Sequence, residues 1–171
     1  LDNIADRGKI VIGVKADYAP WGMRDAAGNL VGMEHDMLDS FVKYVSAATG
    51  KTIEMEKVVV VASNRMQFLE QGKIDLMIAT MSDRKDRREI VGIVGPNYYT
   101  SGTNVMSPKA LGLTSWEDLR GKPVCGKQGA FYNQIVEERY GAQVIAFTGN
   151  AKAKQALRDK KCIAWVYDDN S

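Results

Sequence analysis

Residues 74–87 read IDLMIATMSDRKDR, an apolar run followed by two hydroxyl residues and then a cluster of charges. This pattern is typical of a buried strand that ends in a polar turn and continues into a helix. Backbone N–H groups at the start of a helix have no partner within the helix, and a partial positive charge lies there. The segment therefore predicts an α/β fold with a polar turn at the carboxyl end of one strand.

The side chains of this turn are suited to a small carboxylate. Thr80 and Ser82 supply hydroxyl groups, and Arg87 follows about one turn later. A guanidinium group binds a carboxylate through two parallel hydrogen bonds. The alternative is that Ser82 only caps the helix while the charges form a solvated face. This segment alone leaves both interpretations open.

Composition narrows the classes of function. The chain has 171 residues, enough for one domain or two small ones. Its formal net charge of +2 shows no strong bias. It has no basic stripe with interleaved aromatic residues, and we expect no nucleic-acid binding. No apolar run approaches the roughly 20 residues that a membrane span needs. The first residues lack the form of a signal peptide, as they would in a secreted protein whose signal has been removed.

The two cysteines, Cys125 and Cys162, each lie in a short apolar segment that is typical of a strand. No Cys or His spacing indicates a zinc site, and we expect neither a metal nor a cofactor. If the two strands are neighbours in a sheet, a disulfide can form and points to an oxidising compartment. Otherwise both thiols stay free and buried.

Strands and helices alternate along the chain, which favours mainly parallel sheets flanked by helices. We predict a loop at 16–29, strands at 9–14, 30–33, 52–61, 76–79, 103–106, 124–126, 143–147 and 162–167, and helices at 38–50, 64–71, 83–90, 114–119, 131–140 and 151–159. A turn-rich segment near residue 100 suggests a first lobe at 1–100, a hinge crossover at 101–106 and a second lobe at 107–171. In such sheets, ligands bind beyond the carboxyl ends of the strands.

The order of several short motifs resembles that of the extracytoplasmic solute-binding proteins that feed amino-acid ABC importers. The motifs are GVKADYAPW at 13–21, GMEHD at 32–36, GKIDL at 72–76, ATMSDRKDR at 79–87, PNYY at 96–99, WEDLRGK at 116–122, Gly129 and AWVYD at 164–168. The resemblance implies a two-lobed periplasmic-binding-protein fold that encloses one amino acid in the cleft between the lobes. It also implies an ABC transporter permease as partner and a periplasmic or extracytoplasmic location.

The resemblance also implies roles for single residues. Arg87 corresponds to the arginine that holds the ligand α-carboxylate, and Asp168 to the aspartate that receives the α-ammonium group. Thr80, Met81 and Ser82 correspond to the segment that contacts the ligand through backbone and hydroxyl groups. A zwitterion removed from water needs each charge matched, because an unpaired buried charge is costly. The alternative for Asp168 is an acid that caps the turn after its strand.

Aromatic and glycine-rich segments complete the expected site. Tyr18 and Trp21 form an aromatic wall over the ligand or pack in the core beneath their loop. Further contacts come from the segment that opens a helix in the second lobe, which comprises Gly129, Ala130 and Phe131 and offers backbone N–H groups to the carboxylate. The chain departs from the family here, since small hydroxyl residues are usual at positions 130 and 131. Phe131 packs over the ligand or narrows the pocket instead.

Two further cations bear on the choice of ligand. Lys15 and Arg65 each lie near the end of a predicted strand, and together with Arg87 they suit a ligand with two carboxylates. The resemblance to the acidic-amino-acid branch favours glutamate or aspartate, with glutamine or another polar amino acid as the alternative. The other interpretation is that Lys15 reaches water and Arg65 pairs with Glu70 or Asp75.

A ligand-sensing domain of a receptor and a dehydratase-like enzyme on the same fold are the alternative functions. We expect no catalysis, because no Ser/His/Asp or Cys/His arrangement is evident. His35 is the only histidine, and we expect it at the surface or at a helix cap. The chain stops directly after the last predicted strand, so we expect a C-terminally truncated second lobe. This lobe either self-associates, which covers its sheet edges, or is loosened.

Overall fold

The computed structural model describes residues 2–169 and divides the chain at Pro96 into two compact units, Leu1–Pro96 and Asn97–Ser171. Each unit has its own sheet and its own helices, so the α/β class is confirmed. The hinge crossover at 101–106 stays a prediction. Strand residues 103–106 pair within the sheet of the second unit.

The first unit is built on a parallel three-stranded sheet. Its elements are α1 (Asp2–Arg7), β1 (Lys9–Val14), β2 (Asp17–Tyr18), β3 (Gly22–Arg24), β4 (Leu30–Val31), α2 (Met33–Thr49), β5 (Glu54–Val59), α3 (Arg65–Glu70), β6 (Leu76–Ile78) and α4 (Lys85–Arg88). The sheet order is β5-β1-β6, with Val14 in register with Val59 and Ile78. Ile10, Ile12 and Val14 of the central strand are buried against Leu38 of α2. The carboxyl ends of β1 and β6 therefore lie side by side.

A small antiparallel sheet of β2, β3 and β4 includes five residues of the segment that we predicted as a loop at 16–29. Its strands have two or three residues, too few to show the period-2 alternation on which strand prediction depends. The predicted strand at 30–33 ends at Val31, because Met33 already belongs to α2.

Helix α2 begins earlier than its apolar spacing predicts. Gly32 precedes it at φ 127°, and a Cβ at this position would lie 2.5 Å from the carbonyl oxygen of Trp21. Only glycine combines this backbone conformation with so close an approach. The helix ends as predicted at Gly50, which has the left-handed conformation common at helix C-termini.

The second unit contains β7 (Thr103–Met106), β8 (Pro123–Lys127), α5 (Tyr132–Tyr140), β9 (Gln143–Phe147), α6 (Asn150–Arg158) and β10 (Ala164–Asp168). Its sheet has the order β7-β10-β8-β9, parallel except for β7. A short 3₁₀ helix, Trp116–Leu119, lies where we predicted a capped helix. Among the described helices, none is long and apolar enough to cross a membrane.

A disulfide joins Cys125 and Cys162, the first of the two alternatives that the sequence left open. Strands β8 and β10 are parallel neighbours, with Cys125 opposite Trp165. Cys162 lies just before β10, which brings the two Cα atoms to 5.6 Å. This separation is usual for a disulfide. Both cysteines are buried, so solvent reaches the bond only after the unit opens.

Candidate functional site

The candidate site of the first unit begins where β6 ends. The peptide between Ala79 and Thr80 is contacted at both of its polar groups by charged side chains. Arg65 Nη1 donates a hydrogen bond of 2.5 Å to the carbonyl oxygen of Ala79, and the N–H of Thr80 donates one of 2.7 Å to Glu34 Oε1. Thr80 itself has φ 49°, in the left-handed region that a β-branched residue rarely adopts. The turn after β6 therefore has an unusual backbone conformation and charged partners.

Arg87 closes the same turn from its far end. Its side chain is buried, with the residue 8% exposed, and Nη1 donates a hydrogen bond of 3.0 Å to the carbonyl oxygen of Ser82. The structure thus places Arg87 beside the Ser82 carbonyl, while the roles of both residues in ligand binding stay predictions. Met81 and Ser82 are half-buried between the two ends of the turn.

The helix after this turn is shorter than predicted. It covers only Lys85–Arg88, and its N-cap is Arg84, so Ser82 is not the cap. Four residues align few peptide dipoles, and the partial charge at such a helix start is small. The neighbouring Arg88 forms a two-point ion pair with Asp83 at 2.6 Å on the exposed side. Carboxylate binding at this turn would therefore depend on Arg87 rather than on a helix dipole.

Lys15 follows β1 and lies beside the turn, since β1 and β6 end in register. It is 0% exposed, and its Nζ lies 2.5 Å from Asp17 Oδ1. The alternative that Lys15 reaches water is therefore wrong. Burial of an ammonium group is tolerated because a carboxylate accompanies it.

Arg65, the first residue of α3, is also buried. It does not pair with Glu70 or Asp75, which the sequence left as an alternative. Asp75 instead accepts hydrogen bonds from Arg7 and from the backbone N–H of Val11. The guanidinium of Arg65 contacts the Ala79 carbonyl, as described above.

His35 is buried, and the expectation of a surface or capping position is wrong. Its Nε2 lies 3.0 Å from the carbonyl oxygen of Lys15, which can only accept, so Nε2 carries the hydrogen. Nδ1 has no hydrogen-bond partner within residues 2–169. Burial lowers the pKa of His35, and the hydrogen bond to Lys15 opposes this only in part. The neutral imidazole holds the chain at the end of β1.

Tyr18 and Trp21 are both buried in the segment after β1. Burial of both rings is consistent with core packing, whereas an aromatic wall over a ligand stays a prediction. The start of α2 holds the segment in place, because Met33 and Glu34 donate their N–H groups to the carbonyl oxygens of Pro20 and Trp21. These N–H groups are therefore used within the protein.

In the second unit, the segment after β8 differs from the prediction. Helix α5 begins at Tyr132, and Gly129 at φ 78° makes a turn before it. The N–H of Ala130 donates to the carbonyl oxygen of Lys127, so it is used inside that turn. The ring of Phe131 packs edge-on against Tyr132 at 5.1 Å. A contribution of this segment to ligand binding stays a prediction.

Lys127 is a buried residue that the sequence did not single out. It ends β8 at 0% exposure, with Nζ 5.6 Å from the ring centroid of Tyr167. The ring face attracts the cation and replaces part of its hydration. The only sequence signal was a lysine at the carboxyl end of a predicted strand.

Asp168 ends β10, opposite Thr103 of β7. It is half-buried and borders a shallow cavity of about 140 Å³ formed by residues of β7 and β10. The next residue, Asp169, accepts hydrogen bonds from the hydroxyl of Ser101 and the N–H of Gly102. Asp168 therefore lies at the carboxyl end of a strand, where the sequence predicted it. Within residues 2–169, no group of acidic, His or Cys side chains could hold a metal ion.

Comparison with known proteins gives a consistent picture. Residues 10–161 match the model of a family described as bacterial extracellular solute-binding proteins, family 3. The glutamine-binding protein of an ABC transporter from Bacillus subtilis (strain 168) is 28% identical over 99% of this chain and 62% of its own length. A glutamate/glutamine/aspartate/asparagine-binding protein from Rhodobacter capsulatus is 25% identical over 98% of this chain and 49% of its own length. The chain thus spans about half to three fifths of these two relatives.

A solved structure shares the fold. The crystal structure of an ancestral amino acid-binding protein, described as a precursor of cyclohexadienyl dehydratase, aligns with a TM-score of 0.87 and 27% identity. The alignment covers 98% of this chain and 73% of that one.

Proposed function

Because the chain belongs to the bacterial extracellular solute-binding proteins of family 3, we propose that it binds a free amino acid and delivers it to an ABC importer. The observation that carries the proposal is the buried Arg87 at the turn after β6, where its guanidinium contacts the Ser82 carbonyl. A guanidinium fork matches the geometry of a carboxylate. Arg87 then binds the α-carboxylate of the ligand, beside the backbone and hydroxyl groups of Thr80 and Ser82.

Asp168 binds the α-ammonium group in this proposal. It is half-buried at the carboxyl end of β10, where open α/β sheets bind ligands. An anionic side chain is needed because an ammonium group that leaves water without a partner is strongly destabilised. When each charge of the ligand has its own partner, binding depends on both ends of the zwitterion.

The ligand proposed first is glutamate or aspartate. A buried Lys15 and a buried Arg65 lie near the turn and favour a second carboxylate. The Rhodobacter capsulatus relative is named for binding glutamate and aspartate as well as their amides.

Glutamine is the second candidate, and a specific contact favours it. Asp17 lies 2.5 Å from Lys15 and offsets its charge, while Arg65 uses Nη1 on the Ala79 carbonyl. With both cations engaged by the protein, a neutral amide side chain can also be accommodated. The Bacillus subtilis relative is named for binding glutamine.

We propose that the protein is non-catalytic and acts outside the cytoplasm. The relatives named above are binding proteins, and the ancestral neighbour is described as a precursor of a dehydratase rather than as the enzyme. The buried disulfide between Cys125 and Cys162 supports an oxidising compartment.

A thermal-shift and calorimetric screen of the 171-residue chain against the twenty amino acids tests the proposal. We expect binding of glutamate, aspartate or glutamine and no turnover of any of them. Arg87→Ala weakens binding by about 3 kcal/mol, because the buried α-carboxylate of the ligand loses its guanidinium partner. Arg88→Ala is the matched control, since Arg88 lies on the same helix but is paired with Asp83 on the exposed side. Absence of binding to every amino acid, or equal losses in the two variants, contradicts the proposal.

A further inference from the structure

The peptide that joins Ala79 to Thr80 is fixed by two buried groups of opposite charge. Arg65 Nη1 donates to its carbonyl oxygen at 2.5 Å, and Glu34 Oε1 accepts from its N–H at 2.7 Å. Glu34 is 1% exposed and Arg65 is 5% exposed, so water competes little for either hydrogen bond. The two bonds come from different helices, α3 and the first turn of α2. Together they set the plane of this one peptide.

The peptide needs such support because of its conformation. Thr80 has φ 49°, where the Cβ of an L-residue is crowded by the neighbouring carbonyl group. A strained backbone of this kind persists only when the surroundings over-determine it, and it is common at ligand-binding turns. The residue could relax to negative φ if its N–H lost the buried acceptor.

We propose that Glu34 is a positioning residue for amino acid binding and acts through the N–H of Thr80. This inference rests on the proposed function of the turn. The Arg65 and Glu34 contacts fix the start of the turn, and Arg87 contacts the Ser82 carbonyl near its end. If Thr80 relaxes, Ser82 and the guanidinium that it orients move away from the geometry that a carboxylate requires.

Three variants test the role of Glu34 in binding. Glu34→Met removes the acceptor and lowers amino acid affinity by about 10- to 100-fold, the usual effect of losing a charge-assisted hydrogen bond. Glu34→Gln keeps a carbonyl acceptor and retains affinity within about 3-fold. Asp36→Met is the matched control, because it removes an exposed carboxylate from the same helical turn and leaves affinity unchanged.

A coupling measurement separates positioning from general stability. Glycine adopts positive φ without strain, so Thr80→Gly weakens the need for Glu34. We expect Glu34→Met to cost several-fold less affinity in the Thr80→Gly background than in the original chain. Equal losses in both backgrounds would overturn the inference, because Glu34 would then act independently of Thr80. If Glu34→Met does not fold, Glu34→Asp serves in its place, since its carboxylate is one methylene short of the Thr80 N–H.

Hydrogen exchange of the Thr80 amide tests the role of Glu34 without a bound ligand. In the ligand-free protein, hydrogen exchange of the Thr80 amide is slow in the original chain and in Glu34→Gln, and at least about 10-fold faster in Glu34→Met. If no amino acid binds the original chain, the proposed function fails while this measurement still decides whether Glu34 fixes Thr80. A Thr80 amide whose exchange is unchanged in Glu34→Met would overturn the inference.

Discussion

The disulfide between Cys125 and Cys162 gives a prediction whose size follows from the topology. The two residues are 37 positions apart, and the bond closes that loop in the unfolded chain. The chain-entropy model assigns a loop of this length a stabilisation of about 4 kcal/mol. For a domain as small as the second unit, this corresponds to a decrease of about 20 °C in melting temperature after reduction.

The assay is a denaturant titration with and without a thiol reductant, followed by tryptophan fluorescence. Trp116 and Trp165 lie in the second unit, and Trp21→Phe removes the signal of the first unit. Reduction removes no side-chain heavy atom, so it avoids the cavity that a cysteine substitution creates. The stability of the first unit should be unaffected, because both cysteines lie beyond residue 96. A change below about 1 kcal/mol in the second unit would refute the constrained-loop explanation.

Two titrating side chains of the first unit provide further predictions. Burial raises the pKa of Asp75, but hydrogen bonds from the Val11 N–H and from Arg7 outweigh it and hold the pKa below its usual value. The unfolded chain therefore binds this proton at higher pH than the folded chain does. Urea titrations should show the free energy of unfolding falling as the pH decreases below about 4. Asp75→Asn should cost about 1 kcal/mol of stability at pH 7 and should remove that pH dependence. Burial lowers the pKa of His35 against the opposing hydrogen bond to Lys15, so the folded state excludes a proton that the unfolded state binds. The free energy of unfolding should fall by up to about 1.4 kcal/mol per pH unit below about pH 6.5, and His35→Gln should remove this slope. An unchanged slope in His35→Gln contradicts the assignment of the pH dependence to His35.

Much of the fold could be predicted from the sequence, because long elements carry a clear hydrophobic period. The strands at 9–14 and 143–147 have the predicted bounds. Helix α2 ends at Gly50 as predicted, and this glycine has the left-handed conformation. Strands β2 and β3 could not be predicted, since two or three residues show no period. The start of α2 was also missed. Its first N–H groups bond to the carbonyl oxygens of Pro20 and Trp21, and no local capping side chain marks the position.

The candidate site shows where sequence rules stop. Thr80, Ser82 and Arg87 could be singled out because they follow an apolar strand in one continuous turn. Glu34 and Lys127 could not, because charged residues are rarely buried and only tertiary contacts place these two inside. Their partners lie far along the chain: the Thr80 N–H contacts Glu34, and the ring of Tyr167 contacts Lys127.

Calorimetric titration of glutamate and its α-carboxamide against the original chain and Arg87→Ala is the most direct test of the central claim. If Arg87 binds the α-carboxylate, the original chain prefers the free acid by at least about 1.5 kcal/mol, the lower end of measured coupling between close charges. Arg87→Ala then loses most of this preference, while Arg88→Ala keeps it. An Arg87→Ala variant that discriminates acid from amide as well as the original chain does would contradict the account.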